Sequence, residues 1–164
     1  MRFKLVPEPP ASVEVVAEAR RAIPLVPGSE DDCTARLLRR LDLTSPDVAR
    51  TWLTFLRALD LAERTPSGFR RTRTDPTPEH LRGAFRRRVF GADEALSALA
   101  EADGPRSVDE VYETFRDRVP TWEHYKNPSS WEEIWHDRIG RVLEWSVLLG
   151  LADRADGGYA AAGG

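Results

Sequence analysis

The sequence LDLAERTPSGF, residues 59–69, returns ninety positions later as LGLADRADGGY, residues 149–159. Two leucines, an alanine, an acid, an arginine, a glycine and an aromatic residue align between the two stretches without a gap. An internal repeat marks a supersecondary unit that a chain uses more than once. The sequence therefore predicts two copies of one module, each ending at one of these stretches.

The residues ahead of the first stretch have the apolar spacing of helices. Three helices are predicted, at residues 12–23, 30–41 and 46–59, and Ser12 and Ser29 are placed to cap the first two. The third is the clearest, because its apolar side chains recur on one face. These side chains are Val48, Trp52, Phe55, Leu56 and Leu59.

Two short strands are predicted next, at residues 61–65 and 69–73, around a turn at residues 66–68. The order helix, helix, turn, helix and hairpin resembles the winged helix-turn-helix superfamily. The resemblance implies a mainly α fold with small β-hairpin wings, built as two winged helix-turn-helix units in tandem.

The resemblance covers nearly all of residues 12–73 and, less completely, residues 92–161. Ser107 and Glu110 form a capping-box pattern at a helix of the second half, and Ser130 can cap the long helix 131–149. We expect a first winged helix-turn-helix unit in residues 1–75, a linker or connecting helix in 76–91 and a second winged-helix-like unit in 92–164.

Composition bounds the class of protein. A chain of 164 residues, 41% of them hydrophobic, fits one ordinary domain or two small ones. No run approaches the roughly 18 apolar residues that a membrane span needs, and no secretion signal precedes the helices, so we expect a cytoplasmic protein without membrane contact. The single cysteine, Cys33, excludes an internal disulfide and a cysteine-cluster zinc site, and its apolar helix face places it in the core.

Charge is unevenly distributed along the chain. Residues 1–90 hold 17 basic and 12 acidic side chains, a charge of +5, whereas residues 91–164 hold 7 basic and 15 acidic side chains, a charge of −8. Such an asymmetry indicates different partners for the two halves.

In helix-turn-helix proteins the third helix presents polar side chains to base edges in the major groove. The resemblance therefore implies that Arg50, Thr54 and Arg57 face DNA. Arginine can donate two hydrogen bonds to guanine, and threonine can contact a base or a phosphate. The wing would add arginines for phosphate contacts. These wing arginines are Arg64, Arg70, Arg71 and Arg73. A solvated charged face is the alternative interpretation.

The second copy lacks these cations. A shift of ninety positions replaces Arg50, Thr54 and Arg57 by other residues, which are Gly140, Glu144 and Val147. The same shift places Ala160 and Ala161 at the wing positions of Arg70 and Arg71. Because phosphate repels a carboxylate-bearing face, we expect only the first copy to bind DNA.

Aromatic residues are frequent in the second half. Trp131, Trp135 and Trp145 share a helix face and are expected in the core. Trp122 and Tyr125 lie in a predicted loop, residues 120–130, and are the candidates for contact with a homodimer mate or another protein partner.

Catalytic patterns are weak. Glu133 and His136 form one Glu-x-x-His pair, whereas di-metal sites in helix bundles use two such pairs and two further glutamates. A site built from His124, Glu132, His136 and Asp137 is the other arrangement considered. We expect no enzyme activity, no metal and no cofactor.

Two functional hypotheses follow. In the first, the protein binds double-stranded DNA with its N-terminal unit, as a transcription regulator, and uses its acidic C-terminal unit to dimerise or recruit a partner. In the alternative, tandem winged helices serve as an interaction scaffold in a larger, possibly chromosome-associated complex, without direct sequence-specific DNA binding.

Overall fold

The computed structural model describes residues 2–163, and within them the chain forms eight α-helices and two β-hairpins. In the first half lie α1 Glu14–Ala22, α2 Glu30–Arg40, α3 Pro46–Ala58, β1 Ala62–Thr65, β2 Gly68–Arg71 and α4 Pro78–Arg88. In the second half lie α5 Ala92–Glu101, α6 Val108–Phe115, a 3₁₀ turn Arg116–Arg118, α7 Thr121–Lys126, α8 Trp131–Leu148, β3 Ala152–Ala155 and β4 Gly158–Ala161. The predicted fold class is confirmed.

The chain divides into two compact units between Val89 and Phe90, so that α4 packs with the first unit. Each unit has its own two-stranded antiparallel sheet, β1–β2 in the first and β3–β4 in the second. The register is the same in both: Arg64 is opposite Phe69, and Arg154 is opposite Tyr159. The two hairpins are thus equivalent at every paired position, as the sequence repeat indicates.

Side-chain caps fix where most helices of the first unit begin. Ser29 accepts a hydrogen bond from the Asp32 amide at the start of α2, and Ser45 accepts one from the Val48 amide at the start of α3. Val13, not Ser12, is the N-cap residue of α1, but the Ser12 hydroxyl oxygen accepts a hydrogen bond from the Glu14 amide at 3.3 Å, so the predicted capping role is confirmed in part.

The core of the first unit lies between α3 and the elements around it. The predicted apolar face of α3 is buried at Trp52, Phe55, Leu56 and Leu59. Helix α4 closes this core, because the Phe85 ring packs edge-on against Phe55 with 6.4 Å between ring centroids. On the same helix, His80 Nε2 is hydrogen-bonded to the Leu59 carbonyl at 2.7 Å, which ties α4 to the end of α3.

A third strand of one residue joins each hairpin, and the sequence analysis did not predict it. In the first unit Gly28 pairs with Phe69 through two backbone hydrogen bonds of 2.8 Å. In the second unit Arg106 pairs with Tyr159 through two bonds of the same length. The chain just before α2 or α6 is therefore held against the wing of its own unit.

An extra helix distinguishes the second unit from the first. The prediction of a loop at residues 120–130 is wrong in part, because Thr121–Lys126 form α7 between α6 and α8. The capping box at Ser107 is confirmed, with both reciprocal hydrogen bonds present. The cap predicted at Ser130 is wrong, because its side chain makes no capping hydrogen bond to α8.

Tryptophan and phenylalanine rings form the core of the second unit. Trp135 and Trp145 are buried, as predicted. The Trp135 ring packs against Phe90 and Phe115, with centroid distances of 5.4 and 5.9 Å. The prediction that Trp131 lies in the core is wrong, because this residue is only half-buried and its ring stacks on His124 at 3.7 Å.

Candidate nucleic-acid interface

The outer face of α3 carries the side chains that the sequence analysis assigned to base contacts. Arg50 is 48% exposed and forms an ion pair with Asp47 one turn earlier on the helix. Thr54 is half-buried one turn further on. Arg57, near the end of the helix, is half-buried, whereas Arg50 is exposed.

Arg57 stacks between two aromatic rings. Its guanidinium lies 5.4 Å from the ring centroid of Phe3 and 5.6 Å from that of Phe69. The Phe3 ring also contacts Arg88, whose guanidinium lies 5.4 Å from the same centroid. The four side chains alternate between aromatic ring and cation, joining the wing, α3, the N-terminal segment and α4. We refer to Phe69, Arg57, Phe3 and Arg88 as the cation–aromatic stack.

Positive charge accumulates around this stack. Burial and the charges of Arg64 and Arg88 lower the pKa of Arg57, and only the weaker influence of Glu30 opposes them. Within residues 2–163 no carboxylate forms an ion pair with Arg57 or Arg64. Guanidinium groups gathered without enough carboxylates form a favourable site for an anion.

The wing arginines have different environments. Arg64 and Arg73 are exposed. Arg70 is held by Glu63 across the hairpin, with Nε 2.5 Å from the carboxylate. Arg71 donates hydrogen bonds to the carbonyl oxygens of Ile23 and Arg21, at 3.0 and 2.8 Å. Arg71 therefore holds the base of the wing to the end of α1.

A second group of cations surrounds Arg71. Burial, followed by the charges of Arg20, Arg40 and Arg21, lowers the pKa of Arg71. Glu18 offsets part of this charge, because its carboxylate pairs with Arg21 at 2.7 Å and Arg40 at 3.1 Å. This group is thus partly neutralised, whereas neither Arg57 nor Arg64 forms an ion pair with a carboxylate within residues 2–163.

In the second unit the corresponding surface is neutralised within itself. Glu144 on α8 forms an ion pair with Arg154 on β3, including an Nε contact of 3.1 Å. Burial raises the pKa of Tyr159, and the negative charge of the same Glu144 carboxylate adds to this effect. These residues occupy the repeat positions of Thr54, Arg64 and Phe69.

A model of the halobacterial double winged helix domain matches residues 1–164 of the chain. The chain belongs to this family. No curated protein and no solved structure matches the chain. The family description agrees with the two units, each with three core helices and a wing, and confirms the tandem winged-helix resemblance.

In this double winged helix protein α7 carries the aromatic residues that the sequence analysis assigned to a partner. Trp122 is 53% exposed and Tyr125 is 80% exposed. Their neighbour Glu123 is buried and lies near Arg138, whose guanidinium is stacked on Trp135 at 4.7 Å. Helix α7 therefore faces α8 with its charged residue and presents its aromatic rings outward.

Three of the residues considered as a metal site contact three different side chains. His124 stacks on Trp131, Glu132 pairs with Arg116 at 2.6 Å, and His136 binds Asp109 at 2.5 Å. Across residues 2–163 no group of three histidine, cysteine or acidic side chains is arranged to hold a metal ion. In the same range no helix is long and apolar enough to cross a membrane.

Two residues near the candidate interface were missed in the sequence analysis. Phe3 and Arg88 reach Arg57 from the N-terminal segment and from α4, which the repeat does not include. Backbone pairing brings them together, because the Phe3 amide donates to the Arg88 carbonyl at 2.6 Å. The run of three arginines that ends α4 was the only local signal in the sequence.

Proposed function

We propose that the first unit of this double winged helix protein binds double-stranded DNA and that the protein acts as a transcription regulator. Helix α3 enters the major groove with Arg50 and Thr54 towards the bases. Arg57, Arg64 and Arg73 neutralise backbone phosphates beside the wing.

One comparison carries this proposal. Arg64 and Arg154 occupy the same hairpin register in the two units. Arg154 is paired with Glu144, whereas Arg64 lies near the cation Arg57 and has no carboxylate partner in the described chain. Phosphate binding by an unpaired guanidinium on a wing is more favourable in free energy than binding by a guanidinium whose ion pair with a carboxylate must first be broken.

The other predicted arginines differ in how directly they can contact DNA in this proposal. Arg50 gives up its ion pair with Asp47 and contacts a base edge instead. The loss of the ion pair costs little free energy because exposed ion pairs are weak. Arg70 is available in the same way, since its partner Glu63 is also exposed. Arg71 positions the wing through its backbone hydrogen bonds and contributes mainly long-range charge.

The register equivalence supplies a matched experiment. Binding of the purified full chain to a fluorescein-labelled duplex of mixed sequence is measured by fluorescence anisotropy over a range of salt concentrations. The range is chosen where the far-UV circular dichroism of the protein stays constant. We compare Arg64→Gln with Arg154→Gln, because each variant removes one arginine charge from the same position of a wing.

Arg64→Gln is expected to weaken binding and to lower the salt slope by about 0.9, the value for one lost phosphate contact. Arg154→Gln is expected to leave both quantities close to those of the parent protein. Absence of measurable binding by the parent, or equal losses in both variants, would contradict DNA binding through the first wing.

The exposed rings of α7 favour a second function alongside the first. Trp122 and Tyr125 together present an aromatic surface on the acidic unit, and such residues are enriched at the centres of protein interfaces. We propose that this surface binds a protein partner or a second copy of the chain. In a scaffold without sequence-specific DNA binding, it would be the main interaction surface.

Sedimentation equilibrium of the parent and of Trp122→Ala/Tyr125→Ala tests self-association. A dimer that the double substitution converts to monomer supports the second copy as partner. A parent that stays monomeric at every concentration excludes the homodimer and directs the search to another protein.

A further inference from the structure

The Phe3 ring contacts two cations that come from different elements of the first unit. The guanidinium groups of Arg57 and Arg88 each lie 5.4 Å from its centroid. Phe3 is itself buried at 8% exposure, and its backbone is paired with the end of α4. The ring that both guanidinium groups contact is therefore held in place by the fold.

Helix α4 is anchored on the same core and is not a loose connection. Leu81, Ala84 and Phe85 are buried, and Phe85 packs against Phe55 of α3. Phe85 belongs to the last turn of α4, which ends at Arg88. Arg88 is therefore held in place relative to Arg57.

We propose that Arg88 binds a phosphate of the DNA backbone beside the one that Arg57 neutralises, so that the contact surface extends from the wing across Phe3 to α4. This inference rests on the proposed DNA binding of the first unit. Arg88 is thereby assigned as a phosphate-binding residue, and Phe3 as the residue that positions it. A guanidinium group that already packs against a buried ring loses little conformational freedom on binding an anion.

Asp60 restrains this site in the absence of DNA. Its Oδ1 lies 3.6 Å from Arg88 Nη1, and both side chains are partly exposed. The phosphate must displace this weak contact before Arg88 can bind it fully. Asp60 thus competes with DNA for Arg88.

Opposite effects are expected from substitutions at the two members of this pair. In the anisotropy assay above, Arg88→Gln is expected to lower the salt slope by about 0.9, for one phosphate contact. Asp60→Asn is expected to raise affinity about two- to fivefold, the range of an exposed ion pair. Asparagine suits the left-handed backbone of Asp60, whose φ is 59°. A gain in affinity cannot result from partial unfolding.

Two variants control for charge alone. Arg86→Gln removes an arginine two residues from Arg88, on the other side of α4. Asp42→Asn removes a carboxylate from a residue with a similar backbone, φ 52°. Both controls are expected to bind as the parent does.

The results separate this inference from the function on which it rests. If the parent does not bind DNA, the proposed function fails. If the parent binds and Arg64→Gln weakens binding, but Arg88→Gln matches Arg86→Gln, the phosphate site on α4 is wrong while the proposed function stands. Equal affinities of Asp60→Asn and Asp42→Asn would overturn the competition by Asp60.

Discussion

A Cβ atom placed on Gly68 would lie 2.4 Å from the carbonyl oxygen of Gly28. In the second unit a Cβ atom on Gly158 would lie at the same distance from the carbonyl oxygen of Arg106. The glycine of the sequence repeat is therefore explained by the third strand, which passes too close to the wing for any side chain. At Gly68 the backbone adds a further restriction, with φ at 132°.

Substitution of Gly68 by alanine should destabilise the first unit. The new methyl group must displace backbone atoms at the strand contact, and alanine resists the positive φ, so we expect a loss of about 3 kcal/mol in the free energy of unfolding. Guanidinium titration followed by circular dichroism measures the change.

Gly104→Ala is the control for this substitution, because a Cβ at Gly104 meets no atom within 4 Å. The control should stay within about 0.5 kcal/mol of the parent. A similar free energy of unfolding for Gly68→Ala and Gly104→Ala would show that the contact with Gly28 does not constrain the fold.

Features encoded by local spacing were predictable from the sequence. The apolar face of α3, the capping box at Ser107 and the common register of the two hairpins all depend on residues a few positions apart. The separation of Trp135 and Trp145 from the exposed Trp122 was predictable for the same reason.

Features that depend on distant parts of the chain were not predictable in this way. The pairing of Gly28 with Phe69 involves a single residue, which has no periodicity to detect. Helix α7 is only six residues long and begins after Pro120, so a loop was the natural interpretation. Phe3 reaches Arg57 through backbone pairing with α4, which neither segment encodes by itself.

Ser107 should contribute measurably to the stability of the second unit. Its hydroxyl accepts from the Glu110 amide at 3.2 Å, while the Glu110 carboxylate accepts from the Ser107 amide at 3.1 Å. We expect Ser107→Ala to lower the free energy of unfolding by about 1 kcal/mol. Ser130→Ala should have almost no effect, because Ser130 makes no side-chain cap. Comparable losses in thermal denaturation would contradict this assignment.

Cys33 should react slowly with thiol reagents while the first unit is folded. The side chain is fully buried, and burial raises the pKa of its thiol, so less of the reactive thiolate is present at pH 8. Reaction with Ellman's reagent measures this, with guanidinium-unfolded protein as the fast reference. A native rate equal to the unfolded rate would contradict the burial of Cys33.

The raised pKa of Cys33 also has a consequence for stability. The thiolate is disfavoured in the folded state. The stability that the protonated thiol contributes is therefore fully present below the pKa of the unfolded chain and is lost as pH rises through the pKa of the folded protein. Cys33→Ala should therefore show a smaller alkaline loss of stability than the parent. Equal slopes of unfolding free energy against pH in the two proteins would exclude this contribution.

Glu144→Gln should lower the pKa of Tyr159 while leaving it above the ordinary tyrosine value. Burial is the largest cause of the raised pKa, and the negative charge of Glu144 adds to it. Glutamine removes the negative charge that disfavours phenolate, and Arg154 stays beside the ring. The absorbance of the phenolate at 295 nm, followed against pH, measures the shift.

The sign of the accompanying stability change follows from the same pKa. A raised folded pKa means that stability is complete below the unfolded value of about 10 and declines above it. Since Glu144→Gln brings the folded pKa closer to the unfolded value, its alkaline decline should be shallower than that of the parent. Asp153→Asn, a charge change elsewhere on β3, should keep the parent profile. If the Glu144→Gln titration superimposes on that of the parent, Glu144 does not act on Tyr159. The neutralisation of the second wing by Glu144, which distinguishes the second unit from the first, would then lose its support.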